Sequence, residues 1–153
     1  MNTLIIFAAK DLIFLIVLAG IVIFLMAKTG AKKELLKVGI IAAPLAYLIA
    51  KVAGHFYNNP RPFISEHVIP LISHDNSNGF PSDHTLLGVT VAAVIFTYNK
   101  KWGIILGVLA LIVGYARVLA GVHHAVDIIG ATVFAILATY IAVWISKKFL
   151  KNI

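Results

Sequence analysis

The chain has 153 residues, of which 61% are hydrophobic and 12% charged, with a net charge of +7 and no cysteine. Soluble domains contain roughly 45–50% apolar residues, so this composition excludes an ordinary soluble enzyme and predicts a polytopic membrane protein with a single domain, residues 1–153. The absence of cysteine excludes disulfides and thiolate chemistry. The lysines stand in short clusters beside apolar runs, a pattern that indicates orientation in a membrane rather than binding of nucleic acid.

The apolar runs predict an all-α bundle of about five transmembrane helices, with approximate bounds 4–27, 35–56, 85–98, 102–119 and 124–146. The first run is interrupted only by Lys10-Asp11, and we expect Lys10 to extend toward one membrane interface. The third run is short for a bilayer crossing, so its beginning is expected to lie in a protein-lined pocket below the headgroups.

The basic residues predict the orientation of the bundle. Most of the thirteen lie in three clusters, at 28–37, 100–101 and 147–151. Five spans place these clusters on one side, which the positive-inside rule makes the cytoplasmic side of the cell membrane. The long polar stretch 57–82 and the junction 117–127 then both face the extracytoplasmic side, where we expect them to meet.

The junction between the last two apolar runs carries Arg117, His123 and Asp127. A charged side chain near the bilayer centre costs about 2.5–3.5 kcal/mol on insertion scales, so such residues indicate a functional site. If the last run is helical, His123 and Asp127 share a face, and the carboxylate can accept the proton of one imidazole nitrogen. The other nitrogen is then free as a base or nucleophile, and Arg117 can hold an anion against it.

Two other polar stretches supply partners for this site. Arg61 stands between Pro60 and Pro62, whose fixed φ values hold it at the end of the second span. Ser82 is the expected N-cap of the third helix, whose free N–H groups favour a phosphate, and His84 can donate a proton to a departing oxygen. Two guanidiniums, a helix amino end and two histidines together fit phosphoryl transfer through a phosphohistidine.

No metal or other cofactor is expected, because the arginines can supply the cationic charge. His123 and His124 are adjacent and cannot share a helix face, and neither an HxxxH nor a CxxCH spacing occurs. The alternatives to a catalytic site are structural. In these, the polar residues tie two helices together, Arg61 is an interfacial anchor and Lys51 extends toward the interface.

The three stretches, between residues 51 and 127, resemble the signatures of the type 2 phosphatidic acid phosphatase superfamily, which includes bacterial lipid phosphatases and vanadium haloperoxidases. The third signature, SRxxxxxHxxxD, is matched by Arg117, His123 and Asp127, and the second, PSGH, by Pro81-Ser-Asp-His84. The first, KxxxxxxRP, is matched only at Arg61-Pro62. The resemblance implies a helical bundle with the core of that superfamily.

Three positions depart from these signatures. Gly54 stands where the first signature has its lysine, and Lys51, about one helical turn earlier, is a candidate to replace it. Ala116 replaces the serine of the third signature, which removes one hydroxyl contact. Asp83 replaces the glycine of the second.

The resemblance also implies a role for each matched residue. His123 is the nucleophile that takes the phosphoryl group, and Asp127 orients it. His84 protonates the leaving oxygen and then helps to activate the water that hydrolyses the phosphohistidine. The phosphate oxygens are held by Arg61, Arg117 and Ser82, together with Asp83 and Lys51.

The segments 59–63, 71–74 and 80–84 are similar to those of the undecaprenyl-diphosphatase, or bacitracin-resistance, branch of the superfamily. This similarity implies a membrane lipid substrate, undecaprenyl diphosphate, which is hydrolysed to the monophosphate. The alternatives are a phosphatase for phosphatidic acid or phosphatidylglycerophosphate and, outside enzymes, a small lipid-binding or transport protein that uses the same cationic pocket.

Overall fold

The computed structural model describes residues 2–150, and within that range its only regular elements are α-helices. Lys151, the last residue of the third lysine cluster, lies outside the described residues. In chain order the helices are α1 (Asn2–Lys10), α2 (Leu12–Met26), α3 (Thr29–Phe56), α4 (Pro62–Ser65), α5 (Asp83–Tyr98), α6 (Lys100–Leu119) and α7 (Ala125–Phe149).

The structure confirms an all-helical protein but not a count of five spans. In the described part of the chain, α3, α6 and α7 are long and apolar enough to cross a membrane, and α1 with α2 forms a fourth candidate. α5 is apolar but has 16 residues, a length of about 24 Å against a hydrocarbon core of about 30 Å. The prediction that the third run is short is therefore confirmed.

The first predicted span is divided at Asp11 into two helices that meet at an angle of 45°. Arg117 of α6 donates a hydrogen bond of 3.0 Å from Nη1 to the carbonyl of Ala9. In a continuous helix this carbonyl would accept the N–H of residue 13. A side chain that inserts into the helical hydrogen-bond ladder is a known cause of kinks, so we attribute the bend to Arg117.

Small residues form the buried face of the long helices. Ala131, Ala135, Ala138 and Ala142 recur every three or four positions along α7 and are fully buried. Small side chains let the backbones of membrane helices approach closely, and α7 packs in this way against α3 and α5. The large apolar side chains of the same helices, such as Ile136, are exposed on the outside of the bundle.

Two of the three lysine clusters lie at one end of the bundle. Lys37 in α3 donates a hydrogen bond of 2.9 Å from Nζ to the carbonyl of Leu150, just beyond α7. Most of these lysines lie inside helix ends although the predicted spans 35–56 and 124–146 left most of them out, since α3 begins at Thr29 and α7 includes Lys147 and Lys148.

The polar stretches meet at the opposite end of the bundle from those two clusters. α5 and α6 are antiparallel neighbours joined at Asn99, so the start of α5 lies near the end of α6. The long polar segment is fastened to the end of α6 by a hydrogen bond of 3.0 Å from the N–H of Leu71 to the carbonyl of Ala120. The fold thus joins residues that are far apart in sequence.

Candidate active site

His123 and Asp127 form a buried pair at the start of α7. The distance from His123 Nδ1 to Asp127 Oδ2 is 3.1 Å, and both side chains are almost completely buried. His123 lies in the loop before the helix, because α7 begins at Ala125 with His124 as its N-cap. The expected contact is present, but it joins a loop residue to the first helical turn instead of two residues within one helix.

Asp127 accepts further hydrogen bonds that hold its carboxylate in place. Asn59 Nδ2 donates to Oδ1 at 2.8 Å, and the backbone N–H of His124 donates to Oδ2 at 2.8 Å. The second of these bonds caps the start of α7. Because the carboxylate is held from two sides as well as by His123, the imidazole ring is also held in one orientation.

Arg61 determines which nitrogen of His123 carries the proton. Its Nη1 lies 3.1 Å from His123 Nε2 and donates to the carbonyl of Val122 at 2.9 Å. A guanidinium can only donate, so Nε2 must be the accepting nitrogen and Nδ1 must carry the hydrogen directed at Asp127. The structure thus favours a neutral imidazole whose Nε2 lone pair points away from Asp127, as a nucleophile requires.

The electrostatics of the site agree with a neutral imidazole. Burial lowers the pKa of His123 below its usual value, and the charges of Arg117 and Arg61 act in the same direction, whereas the hydrogen bond with Asp127 raises it. Burial also lowers the pKa of Arg61, an effect opposed by Asp75 and Asp127. His123 is therefore neutral at neutral pH.

Arg61 is held by the polar segment before α5. Its Nε donates to the carbonyl of Ser77 at 3.2 Å, and its Nη2 donates to the Ser77 hydroxyl at 3.3 Å and to the carbonyl of Asn78 at 3.4 Å. With the two contacts of Nη1, each nitrogen of this guanidinium has a partner within the protein. Pro62 follows as the first residue of α4, so the prediction that the prolines restrain Arg61 agrees with the local backbone.

Arg117 lies on another side of the site and has fewer partners. It is 2% exposed, its Nη1 binds the carbonyl of Ala9, and its Nε is buried with no hydrogen-bond partner in the part of the chain that the structure describes. Arg117 and His84 line the same cavity of about 500 Å³. A buried donor without a partner suits an incoming anion, because leaving it unsatisfied costs about 1–3 kcal/mol.

Ser82 joins the second signature to the third. It is the N-cap residue of α5, as predicted, but its side chain makes no capping hydrogen bond. Its backbone N–H donates to the carbonyl of Asp127 at 3.2 Å, and its hydroxyl accepts from Thr85 Oγ1 at 3.2 Å. His84, in the first turn of α5, is thereby held close to α7.

Lys51 and Asp83 line a second cavity, of about 340 Å³, together with Ser77 and Asn78. The second cavity does not include His84 or Arg117 in its lining. Lys51 is exposed, and its Nζ lies 5.0 Å from the ring centroid of Tyr47. Their predicted contact with phosphate stays a prediction.

Gly54 shows why no side chain occupies the position of the signature lysine. A Cβ atom there would lie 2.8 Å from the carbonyl oxygen of Phe80. Asn78 Nδ2 also donates to the Gly54 carbonyl at 2.8 Å. The end of α3 therefore packs directly on the backbone that leads into α5, and a lysine at residue 54 would force the two apart.

The sequence analysis missed three residues that support the site. Asn59 binds Asp127, and Asn78 fastens the end of α3 to the segment before α5. The ring of His74 meets that of His123 edge to face, with centroids 6.1 Å apart. The only sequence signal for Asn59 and His74 was their position in segments that resemble the undecaprenyl-diphosphatase branch, and Asn78 had none.

His74 and Asp75 form a smaller charged group over the site. His74 Nδ1 lies 2.9 Å from Asp75 Oδ1, and the Ser77 hydroxyl donates to the same oxygen at 2.7 Å. These two contacts, that of Ser77 being the larger effect, lower the pKa of Asp75 to about 2. Burial lowers the pKa of His74, as does the charge of Arg61. At neutral pH Asp75 is thus an anion that lies close to His74 and Arg61.

The sequence profile of the PAP2 superfamily matches residues 34–151, which include all three signature stretches. The chain belongs to the PAP2 superfamily. It is a hydrolase of the phosphatase class, and its long apolar helices together with its membrane relatives make it a membrane protein. The resemblance that the signatures indicated is therefore confirmed.

This PAP2 chain is similar to bacterial proteins over most of its length. It is 30% identical to the bacitracin transport permease protein BcrC of Bacillus licheniformis, over 97% of this chain and 73% of that protein. It is 31% identical to the undecaprenyl-diphosphatase BcrC of Bacillus subtilis strain 168, over 92% of this chain and 72% of that protein. The crystal structure of Aquifex aeolicus LpxE superimposes with a TM-score of 0.77 at 27% identity, over 94% of this chain and 87% of that one.

Proposed function

We propose that this PAP2 protein hydrolyses a membrane lipid phosphate through a phosphohistidine formed on Nε2 of His123. The observation that carries the proposal is the arrangement around that ring. Nδ1 faces the Asp127 carboxylate at 3.1 Å, and Nε2 accepts from Arg61 at 3.1 Å. Such a ring has an oriented lone pair, a partner for the positive charge that it gains on phosphorylation, and a cation beside the reacting atom.

In the first step the Nε2 lone pair of His123 attacks phosphorus, and the bond from phosphorus to the lipid oxygen breaks. His84 donates a proton to that leaving oxygen. Arg61 Nη1 moves its hydrogen bond from Nε2 to a phosphate oxygen as the substrate enters. The phosphorylated imidazole is cationic, and Asp127 stabilises it through Nδ1–H.

In the second step water attacks the phosphorus of the phosphohistidine, and the bond from phosphorus to nitrogen breaks. The water gives its proton to His84, which restores the acid for the next cycle. The lone pair returns to Nε2 of His123, and inorganic phosphate leaves. Each turnover thus consumes one water and requires no redox partner.

The phosphate oxygens are held by the two guanidiniums, and we propose that these cations do the work that a metal ion does in other phosphatases. Arg61 and Arg117 reach the site from different elements, so they can contact different oxygens. Ser82 would contribute through the backbone at the start of α5. Lys51 and Asp83 line the second cavity, so they would contribute only if the headgroup extends into it.

The substrate that we propose is undecaprenyl diphosphate, which would yield undecaprenyl phosphate and inorganic phosphate. The similarity to proteins named for that diphosphatase supports this choice. The cavity that holds His84 and Arg117 is also lined by Ile6 and Phe14, which can receive the start of an apolar tail. The rest of the tail can stay in the bilayer.

The proposal includes the membrane topology. One domain, residues 1–153, would cross the cell membrane five times, with α1 and α2 as one bent span and α5 as a short one. The catalytic end would face the extracytoplasmic side, and the lysine clusters would face the cytoplasm. Two of those clusters meet through the hydrogen bond of Lys37 with the carbonyl of Leu150, as this topology requires.

The test is phosphate release by the purified full-length protein in detergent with excess chelator. Undecaprenyl diphosphate, phosphatidic acid and phosphatidylglycerophosphate are compared side by side. We expect chelator-resistant release from the diphosphate in preference to the other two. Release from the glycerolipids alone would keep the histidine mechanism and overturn the substrate.

A lipid-binding or transport protein would behave differently. It would bind the same lipids through its cations but release no phosphate from any of them. It would also leave no alkali-stable phosphorus on the protein after rapid quenching, whereas the proposed enzyme forms phosphohistidine during turnover.

A further inference from the structure

Lys10, at the bend between α1 and α2, lies in the same cavity as His84 and Arg117. We propose that Lys10 binds the phosphate that leaves with the lipid, so that the protein has a second phosphate subsite beside the one that loses its phosphoryl group. The inference rests on the proposed function. It adds the part of the site that distinguishes a lipid diphosphate from a lipid monophosphate.

The backbone of Lys10 is fixed in place by the contacts of its neighbour Ala9. Its neighbour Ala9 is fully buried and accepts the hydrogen bond from Arg117 Nη1 at 3.0 Å. Adjacent Cα atoms are about 3.8 Å apart, so the backbone of Lys10 lies directly beside a residue that touches a phosphate-binding arginine. The side chain of Lys10 itself is exposed and lines the cavity.

The direction of the reaction leads to the same cavity. The nucleophile His123 attacks from one side, and the leaving oxygen must lie on the opposite side of the phosphorus, where His84 protonates it. In a diphosphate that oxygen bridges to the second phosphorus. The second phosphate therefore lies beyond His84, in the cavity that His84 shares with Lys10.

The remaining lining of this cavity fits the next part of such a substrate. Ile6 and Phe14, from the two arms of the bend, supply apolar surface next to Lys10. A lipid diphosphate presents its groups in this order, with the terminal phosphate first, the second phosphate next and the apolar chain last. The lining offers both kinds of surface that such a substrate needs, cationic side chains and apolar side chains.

The charge of Lys10 is available for an anion. It forms no ion pair with an acidic side chain among residues 2–150. Asp11 follows it and lines the same cavity, but adjacent residues do not face each other as helix pairs do. The negative charge of Asp11 repels the second phosphate, whereas the positive charge of Lys10 attracts it. Removing the one charge or the other should therefore change the affinity for a diphosphate in opposite directions.

The test measures binding of two probes to the purified full-length protein by calorimetry. Inorganic phosphate occupies one subsite, and methylene diphosphonate, which cannot be hydrolysed at its bridge, occupies both. The variants are Lys10→Met, Asp11→Asn and, as a matched loss of one lysine near the start of α6, Lys101→Met. Thermal unfolding in detergent establishes that each variant is folded.

We expect Lys10→Met to raise the Kd of methylene diphosphonate about tenfold and to leave the Kd of phosphate within about twofold. Asp11→Asn should lower the Kd of the diphosphonate, and Lys101→Met should change neither value. With the lipid diphosphate, Lys10→Met should raise KM more than it lowers kcat. Equal changes for the two probes, or none, would overturn the second subsite.

Failure of the proposed function is separable from failure of this inference. If the wild-type protein bound both probes but released no phosphate from any lipid, the enzyme proposal would fall. The difference between the probes in Lys10→Met would still decide whether the second subsite exists.

Discussion

The two arginines of the site reach it from different elements and are bound in different ways. Every nitrogen of Arg61 has a partner within the protein, including His123 Nε2. Arg117 makes one hydrogen bond, to the carbonyl of Ala9, and its Nε has no partner in the described part of the chain. Arg61 is thus held in place before any substrate arrives, whereas Arg117 keeps donors for a ligand.

The difference indicates a division of work between two similar side chains. Arg61 sets the tautomer of His123 and binds the polar segment at Ser77 and Asn78. Loss of Arg61 should therefore affect both the chemistry and the stability of the fold. Arg117 should mainly affect binding of the anion. Its hydrogen bond to Ala9 lies at the bend of the amino-terminal span, next to Lys10. The following predictions test this contrast, from the largest expected effect to the smallest.

The largest effect is expected at His123, the proposed nucleophile. His123→Asn removes the nucleophile and should lower kcat at least about 1,000-fold, with lipid binding retained. His67→Asn is the matched control, because His67 is exposed in the loop and its φ of 56° is one that asparagine adopts readily. A His123→Asn protein with unchanged phosphate release would contradict the phosphohistidine.

Arg117→Lys should lower kcat/KM about 100-fold, because lysine cannot present the planar fork that binds two phosphate oxygens. We expect most of the change in KM, since this guanidinium has donors left for the substrate. Steady-state phosphate release against lipid concentration separates KM from kcat. An effect on kcat alone would mean that Arg117 acts on the transition state and not on initial binding.

Arg61→Lys should lower the free energy of unfolding more than Arg117→Lys does, by roughly 2 kcal/mol, because several hydrogen bonds from a charged group are lost. Denaturant titration in detergent measures both variants. Should the two prove equally stable, the contrast between a satisfied and an unsatisfied arginine would have no energetic meaning.

Gly54→Ala should destabilise the protein by about 1–2 kcal/mol, because a Cβ at this position would lie 2.8 Å from the Phe80 carbonyl oxygen. Gly30→Ala is the matched control, since a Cβ there would meet nothing within 4 Å. The same denaturant titration measures both. An unaffected Gly54→Ala protein would show that the end of α3 yields easily, and would reopen position 54 to a longer side chain.

The smallest effect is expected in the pH profile. Burial and the two arginines lower the pKa of His123. The imidazole therefore stays neutral, and nucleophilic, at pH values below the usual histidine pKa of about 6.5. The acidic limb of kcat/KM should therefore lie below pH 6.5, and Arg61→Met should move it to higher pH by removing a nearby positive charge. An acidic limb that stayed in place in Arg61→Met would assign it to another group.

The candidate catalytic residues could be predicted from the sequence because each signature is local. The spacing of Arg117, His123 and Asp127 survives any detail of packing, and a charge in an apolar run needs a reason. The helical bundle was equally readable, since apolar runs of this length in a membrane can satisfy their backbone only as helices. The predicted helix ends were less accurate, because lysines that follow an apolar span can lie either in a continuation of the helix or in the loop after it.

What the sequence by itself determined is the class of protein and the residues that carry charge. Only the tertiary structure decided which partners those charged side chains bind. The bond from Arg117 to Ala9 joins residues 108 positions apart, and the bond from Asn59 to Asp127 joins residues 68 apart. No local pattern encodes such pairs, because they depend on how elements that are distant in sequence pack together. The same packing places Lys10, which the sequence predicts to extend toward an interface, in the lining of a cavity, and it brings position 54 against the Phe80 carbonyl, where a side chain would collide.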